Sequence, residues 1–270
     1  MEVSMIKMAK KAFTLVELLV VISIIAILMA VLMPALGKAR QQSKAVVCIS
    51  NLRQMVIAAN AYILANEGYY PLAGFTENRA GGIYNSYGWD YLQVRQWGVL
   101  RECEPGLLWQ KNGTLKIQQC PTFKGGANSQ GDPYTGYNYN ASYVGGVMSR
   151  EVSGRTSGVN SSKADQIRRA FGCALFGDGE YGTSWSANNG ANKYMRSPFI
   201  GKLENMADHG GLRYAGTQGY RHLGSTNVGW ADGHASKVKE RYTETYSSQK
   251  TLIVSGTGFL SPDNSAYDLE

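Results

Sequence analysis

The stretch Lys10-Lys11-Ala12-Phe13-Thr14-Leu15-Val16-Glu17 runs directly into Leu18–Gly37, 20 residues without a charge. At about 1.5 Å rise per residue, a helix over that run is roughly 30 Å long, the thickness of a bilayer core. Leu, Ile, Val, Met and Ala dominate it, and a helix apolar all round needs lipid or a deep core as its solvent. Lys7, Lys10 and Lys11 precede it. The positive-inside rule therefore keeps the N-terminus in the cytoplasm and sends the rest across.

Three readings fit the hydropathy. A cleaved secretory signal has a shorter apolar core, about 7–15 residues, and a small-residue cut site after it; Ala35-Leu36-Gly37 could serve. A simple signal anchor fits as well. Neither accounts for Phe13-Thr14-Leu15, nor for Glu17, a carboxylate that is costly at membrane depth without a partner. The basic pair, the small residue, Phe-Thr-Leu and the single carboxylate together resemble the processing site of type IV prepilins and type II secretion pseudopilins.

That resemblance implies a cut by prepilin peptidase between Ala12 and Phe13, with N-methylation of the new N-terminal Phe13. Glu17 then falls at the fifth mature position and Pro34 at the twenty-second, where such proteins keep a carboxylate and a helix-bending proline. Ala12 departs from the pattern, which usually has Gly before the cut; alanine is small enough to fit, and slower processing is expected. Glu17 is expected to meet the free amine of a neighbouring subunit's Phe13, a pair that neutralises both groups in low dielectric. The plainer alternative is that Glu17 snorkels to the headgroups.

Beyond Gly37 the sequence turns amphipathic. Ala45, Cys48, Leu52, Met55, Ala59 and Tyr62 recur at spacings of three and four, and Val56 and Ile63 widen the stripe. Lys38, Arg40, Gln41, Lys44, Asn51, Arg53 and Asn60 fill much of the remainder, so one helix face packs on something. Asn66-Glu67-Gly68 ends the helix, Gly68 being suited to a left-handed cap.

Of the 32 glycines, 31 lie at or after Gly68. Short patches such as Gly88–Leu92, Gly136–Asn140, Ser142–Gly146 and Ala174–Asp178 predict short strands between Gly, Asn and Asp turns. Ala164–Phe171 predicts a short helix or turn. Long loops are expected over 124–135, 150–162 and 182–197. Asn227–Val238 predicts a hairpin with Asp232-Gly233 as a two-residue turn, across which His222 and Asp232 hydrogen-bond. The expected fold is α+β: a long N-terminal helix, transmembrane and then amphipathic, packed on an antiparallel β-rich head. The divisions are a leader (1–12), a membrane half (13–37), an amphipathic half (38–67), a head (68–260) and a loose tail (261–270).

Arg221-His222, nine residues, then Asp232-Gly233 also resembles the C-terminal H-x9-D-G element that accompanies prepilin-type leaders in some bacteria, as do Cys48–Gln54 and Cys120-Pro121-Thr122. The resemblance places cysteines at both 48 and 120 and makes Cys48–Cys120 a candidate staple of head to helix. From the residues alone, Cys103–Cys120 is a local loop closure, free thiols are an alternative, and the four cysteines allow three full pairings. All four face the oxidising side, where disulfides are permitted.

Net charge is +7, and removing three Lys and one Glu with residues 1–12 leaves +5. The surplus is spread out, a weak attraction to nucleic acid or anionic surfaces at most. His209, His222 and His234 with Asp208 and Asp232 match no standard zinc spacing. The resemblance to pseudopilins raises calcium, with Asp178, Glu180, Asp208 and Asp232 as oxygen donors; otherwise no cofactor is expected. Phosphate-loop, GxSxG and HExxH signatures are absent from the sequence, so no enzymatic activity is expected. The expected function is a structural subunit of a type IV pilus-like filament or type II secretion pseudopilus. Its expected partners are the peptidase/methyltransferase, other subunits, the assembly platform and the inner membrane. Alternatives are a minor subunit whose head binds DNA, glycan or a secreted substrate, with Arg168, Arg169 and Arg213 as a basic face, and a membrane-tethered protein that never polymerises.

Overall fold

The computed structural model describes residues 14–110, 117–127, 131–132, 134–146, 161–180, 192–199, 201, 216–245 and 253–270. The chain divides into two compact units, 1–42 and 43–270. Helix α1 spans Leu15–Ala65, about 77 Å at helical rise. Side chains 14–44 are exposed along its first part. From Ala45 onward one face is buried: Ala45, Cys48, Asn51, Leu52, Met55, Val56 and Ala59. The apolar stripe read from the sequence is thus the packed face, with one correction. Asn51, assigned to the polar side, is buried, and its amide donates to Tyr137 Oη at 3.1 Å. The helix stops over Asn66-Glu67-Gly68: the Gly68 N–H reaches back to the Ile63 carbonyl at 2.9 Å, the closure of a Schellman cap whose left-handed residue is Glu67 at φ 52°, with Gly68 following it at φ 83°.

Four strands follow as an antiparallel meander: β1 (Gly74–Arg79), β2 (Ile83–Gly88), β3 (Tyr91–Gln96) and β4 (Val99–Pro105). The β3–β4 turn is Trp97-Gly98 with both residues at positive φ, the conformation that matches strand twist in a two-residue hairpin. The remaining strands are β5 (Asn138–Asn140), β6 (Ala174–Gly177), β7 (Tyr194–Met195), β8 (Gln218–Gly219), β9 (Thr226–Trp230), β10 (Ala235–Val238) and β11 (Thr257–Gly258). Five of them form a sheet in the order β10-β9-β6-β5-β7, antiparallel except for β5 with β7, while β8 and β11 pair separately. The α+β expectation holds.

The amphipathic face of α1 lies against this second sheet. A Cβ placed on Gly229 of β9 would stand 2.8 Å from Val56 Cγ2 and 3.3 Å from the Leu52 carbonyl, so only glycine allows the helix this close. Trp89, Tyr139 and Phe176 fill the core beside them, with ring centroids 5.0 to 5.9 Å apart.

Several local expectations are corrected. Ser142–Gly146 is no strand; Ala141–Gly145 forms a wide π-type turn capped by the Asn140 side chain. The short helix or turn expected within Ala164–Phe171 is present, by contrast, as a 3-10 turn over Ala164–Gln166. The hairpin at β9–β10 closes with three loop residues. Trp230 N–H donates to the His234 carbonyl at 2.9 Å, and Gly233 N–H bonds back to the Trp230 carbonyl at 3.0 Å, with Gly233 at φ 101°. Gly233 therefore takes the left-handed position after a four-residue turn, and Asp232 has no positive φ to supply. The tail is packed: Tyr267 is fully buried, its hydroxyl accepts from Leu260 N–H at 2.7 Å, and its carbonyl accepts from Asn140 at 2.7 Å. Residues 128–130, 133, 150–160 and 182–191 of the expected loops lie outside the described residues, and within the last loop Tyr194–Met195 is strand β7.

Candidate functional site

At the start of α1, Thr14 and Glu17 bond reciprocally. Thr14 N–H and hydroxyl both donate to Glu17 Oε2, at 2.9 and 2.8 Å, and Glu17 N–H donates to Thr14 Oγ1 at 3.2 Å. This is a capping box, which satisfies two amides that a helix start leaves without partners. The sequence carries its signature in Thr14-x-x-Glu17, a second role for a carboxylate assigned above only to assembly or snorkelling. Every large apolar side chain from Leu15 to Leu36 is exposed, and the stretch is long and apolar enough to cross a membrane. Pro34 lies inside this helix.

The head holds a second constellation, drawn from four segments. Cys48 comes from α1, Cys120 from the loop before β5, Asp178 from the end of β6 and His222 from the turn before β9. One donor atom from each lies within 4.8 Å of the others, and all four residues are buried. Cys48 Sγ and Cys120 Sγ are 2.9 Å apart. His222 Nε2 is 3.7 Å from Cys120 Sγ and 3.2 Å from Asp178 Oδ2. Asn227 N–H donates to Asp178 Oδ2 at 2.7 Å, and the Arg221 guanidinium pairs with Asp178 Oδ1 at 3.1 Å. Leu223 and Gly224, both at positive φ, close the turn that returns His222 N–H to the Ser225 carbonyl at 3.0 Å.

Electrostatics sharpen the cluster. Burial alone raises the Cys120 thiol, but the Cys48 hydrogen bond, Arg221 and His222 together hold it well below its ordinary value. A hydrogen bond to Cys120 and burial push Cys48 the other way. Burial opposes charge on His222, yet its bonds to Asp178 and Cys120 raise it to about 9. Cysteine, histidine and aspartate suggest a nucleophile relay, but the geometry does not make one. The same ring nitrogen faces both partners, Nδ1 has none among the described residues, and Cys120 is only 1% exposed. A relay needs the two nitrogens divided between base and orienting group, and a nucleophile that substrate can reach.

Residues 7–33 match the family described as the Prokaryotic N-terminal methylation motif. No curated protein and no solved structure matches the chain. The match supports a pilin- or pseudopilin-type subunit, with processing by a prepilin peptidase and anchoring through the apolar helix.

The structure separates the residues expected to act together in the head. His222 does not bond to Asp232; it turns to Asp178, while Asp232 holds His234 Nδ1 at 2.6 Å on the exposed hairpin. All four cysteines are free: Cys120 sits 2.9 Å from Cys48 without a covalent bond and Cys103 is exposed on β4, so neither expected disulfide is formed. Asp178 and Glu180 share Arg221, the latter at 3.1 Å. Asp232 lies at the opposite end of the β6–β9 pair, past Trp230, which partners Ala174. Among the described residues, Asp178, Glu180 and Asp232 therefore do not converge. Ala12, Phe13, Asp208, His209 and Arg213 lie outside the described residues. The quartet escaped the sequence because its members come from four distant segments, each plain by itself.

Proposed function

We propose that the chain is a structural subunit of a type II secretion pseudopilus or type IV pilus-like filament. Prepilin peptidase cuts before Phe13 and methylates it. The apolar part of α1 holds the subunit in the inner membrane, head outward, until the assembly platform draws it into the polymer. There the exposed apolar side chains from Leu15 to Leu36 pack against those of other copies, with Glu17 meeting a neighbour's Phe13 amine and Pro34 bending the helix. The single observation that carries this is the motif match over residues 7–33, which overlaps that unburied helix.

Intact mass and N-terminal sequencing of chain recovered from membranes test it. A chain beginning at methylated Phe13 is expected. A chain that retains its starting Met is an uncut anchor, and one that begins beyond Gly37 is a secreted head; either result sinks the proposal.

A further inference from the structure

We propose that Cys48, Cys120, Asp178 and His222 form a closed structural site for a thiophilic divalent cation, zinc above all. Two sulfurs, an imidazole nitrogen and a carboxylate oxygen are a donor set that suits tetrahedral zinc. They converge within 4.8 Å from four separate segments, all buried. No aqueous opening is needed at a structural site, because all four positions are filled by protein.

Charge points the same way. Arg221 lies against Asp178 at 3.1 Å. Two thiolates, one carboxylate, a dication and that guanidinium sum to zero in a buried space, where net charge is expensive. Glu180 takes the other arm of Arg221 and keeps 12% of its side chain exposed, so water shares its charge. Outer bonds fix Asp178, held by Asn227 N–H and Arg221, while the Ser225 hydroxyl on the His222 backbone carbonyl holds the turn that carries the imidazole. Such partners are what hold first ligands in place around a metal. A tetrahedral ion with bonds of about 2.3 Å to sulfur needs the two sulfurs about 3.7 Å apart. The present 2.9 Å must widen by under about 1 Å. The ion would tie α1 to the loop before β5, the end of β6 and the turn before β9.

A covalent bond between Cys48 and Cys120 is the competing state. It consumes both sulfur donors, so the two outcomes exclude each other. The test is zinc content by mass spectrometry of the full chain, purified in detergent without chelator, with thiols counted after unfolding in chelator. One zinc per chain and four free thiols are expected. Cys103→Ser, outside the cluster, keeps the zinc; His222→Gln loses about tenfold or more of it. Should His222→Gln fail to fold, cobalt substitution of the wild-type chain gives the second measurement. Thiolate-to-cobalt charge transfer with tetrahedral ligand-field bands supports the site. A metal-free chain lighter by two hydrogens with two free thiols overturns it, as does a chain with four free thiols that takes up neither zinc nor cobalt.

Discussion

Val56 of α1 packs so closely over Gly229 of β9 that a side-chain carbon at 229 would stand 2.8 Å from its Cγ2. Both atoms belong to rigid elements, so neither moves without cost. Gly229→Ala is expected to destabilise the head by about 1 to 3 kcal/mol, the range for overpacking a filled core. Gly229→Val costs more. Val56→Ala in the Gly229→Ala background recovers part of the loss. Chemical denaturation of wild type, Gly229→Ala, Val56→Ala and the double variant measures this coupling, and strict additivity would sink the account of the contact.

Glu17 separates two roles by chemistry. Glutamine at this position still accepts from Thr14 and keeps the cap, but it cannot pair with a cationic amine. Glu17→Gln is expected to retain membrane insertion and helicity and to lose polymer. Thr14→Ala, by contrast, costs about 1 kcal/mol of helix stability and leaves the carboxylate for assembly. Filament yield beside membrane-fraction abundance distinguishes them. Equal filament loss in both variants would falsify the division of roles.

Asn140 is spent entirely on three chain segments. Its amide donates to the Ala174 and Tyr267 carbonyls at 2.9 and 2.7 Å, and its oxygen accepts from Tyr143 N–H at 3.2 Å. Asn140→Ala leaves these buried groups without partners, and a loss of about 3 kcal/mol or more is expected. Removing residues 261–270 is expected to cost comparably, since Tyr267 fills the core and Leu269 accepts from Arg168 N–H at 2.7 Å. Thermal melts of both variants that match wild type would show the tail to be dispensable.

A buried triad gives a pH signature. Lys193 Nζ pairs with Asp90 and, at 3.1 Å, with Asp132, and all three are buried. Burial pushes Asp90 from 3.8 up to about 6, with Lys193 pulling it down and Asp132 adding to the rise. Between those values the folded chain keeps a proton that the unfolded chain releases. Stability from this group is therefore present at low pH and is lost as pH rises through about 6, on the order of 3 kcal/mol in all. Asp90→Asn should flatten the difference in unfolding free energy between pH 4 and pH 7. An unchanged slope in urea titrations across that window counts against it.

The helix is legible in sequence because its signals are local: an uncharged run, a stripe at spacings of three and four, and Gly68 to stop it. The hairpin at Asp232-Gly233 is legible for the same reason, though its loop length is not, since that depends on how Trp230 and His234 pair. The meander from Gly74 to Pro105 is hard to foresee. Its strands bury Asn85 and Gln93 and expose Val99, so alternation of apolar and polar residues is lost. The tail misleads because its composition is polar, while one tyrosine and a few backbone bonds decide its packing. The buried quartet is the least legible part. His222 and Asp232 stand close together in the sequence, yet the fold gives His222 to Asp178 and sends Asp232 to the exposed hairpin. Only the juxtaposition of α1 with β6 and β9 brings Cys48 within reach.

The bond between Thr14 and Glu17 has a bearing on timing. A bare carboxylate in lipid would have to find a cation at once or give up its charge. Glu17 already rests on two donors of its own chain, so a lone subunit can wait in the membrane as a reservoir. In the filament proposed above, joining a polymer would exchange one partner for another, and leaving it would hand the carboxylate back to the place it came from.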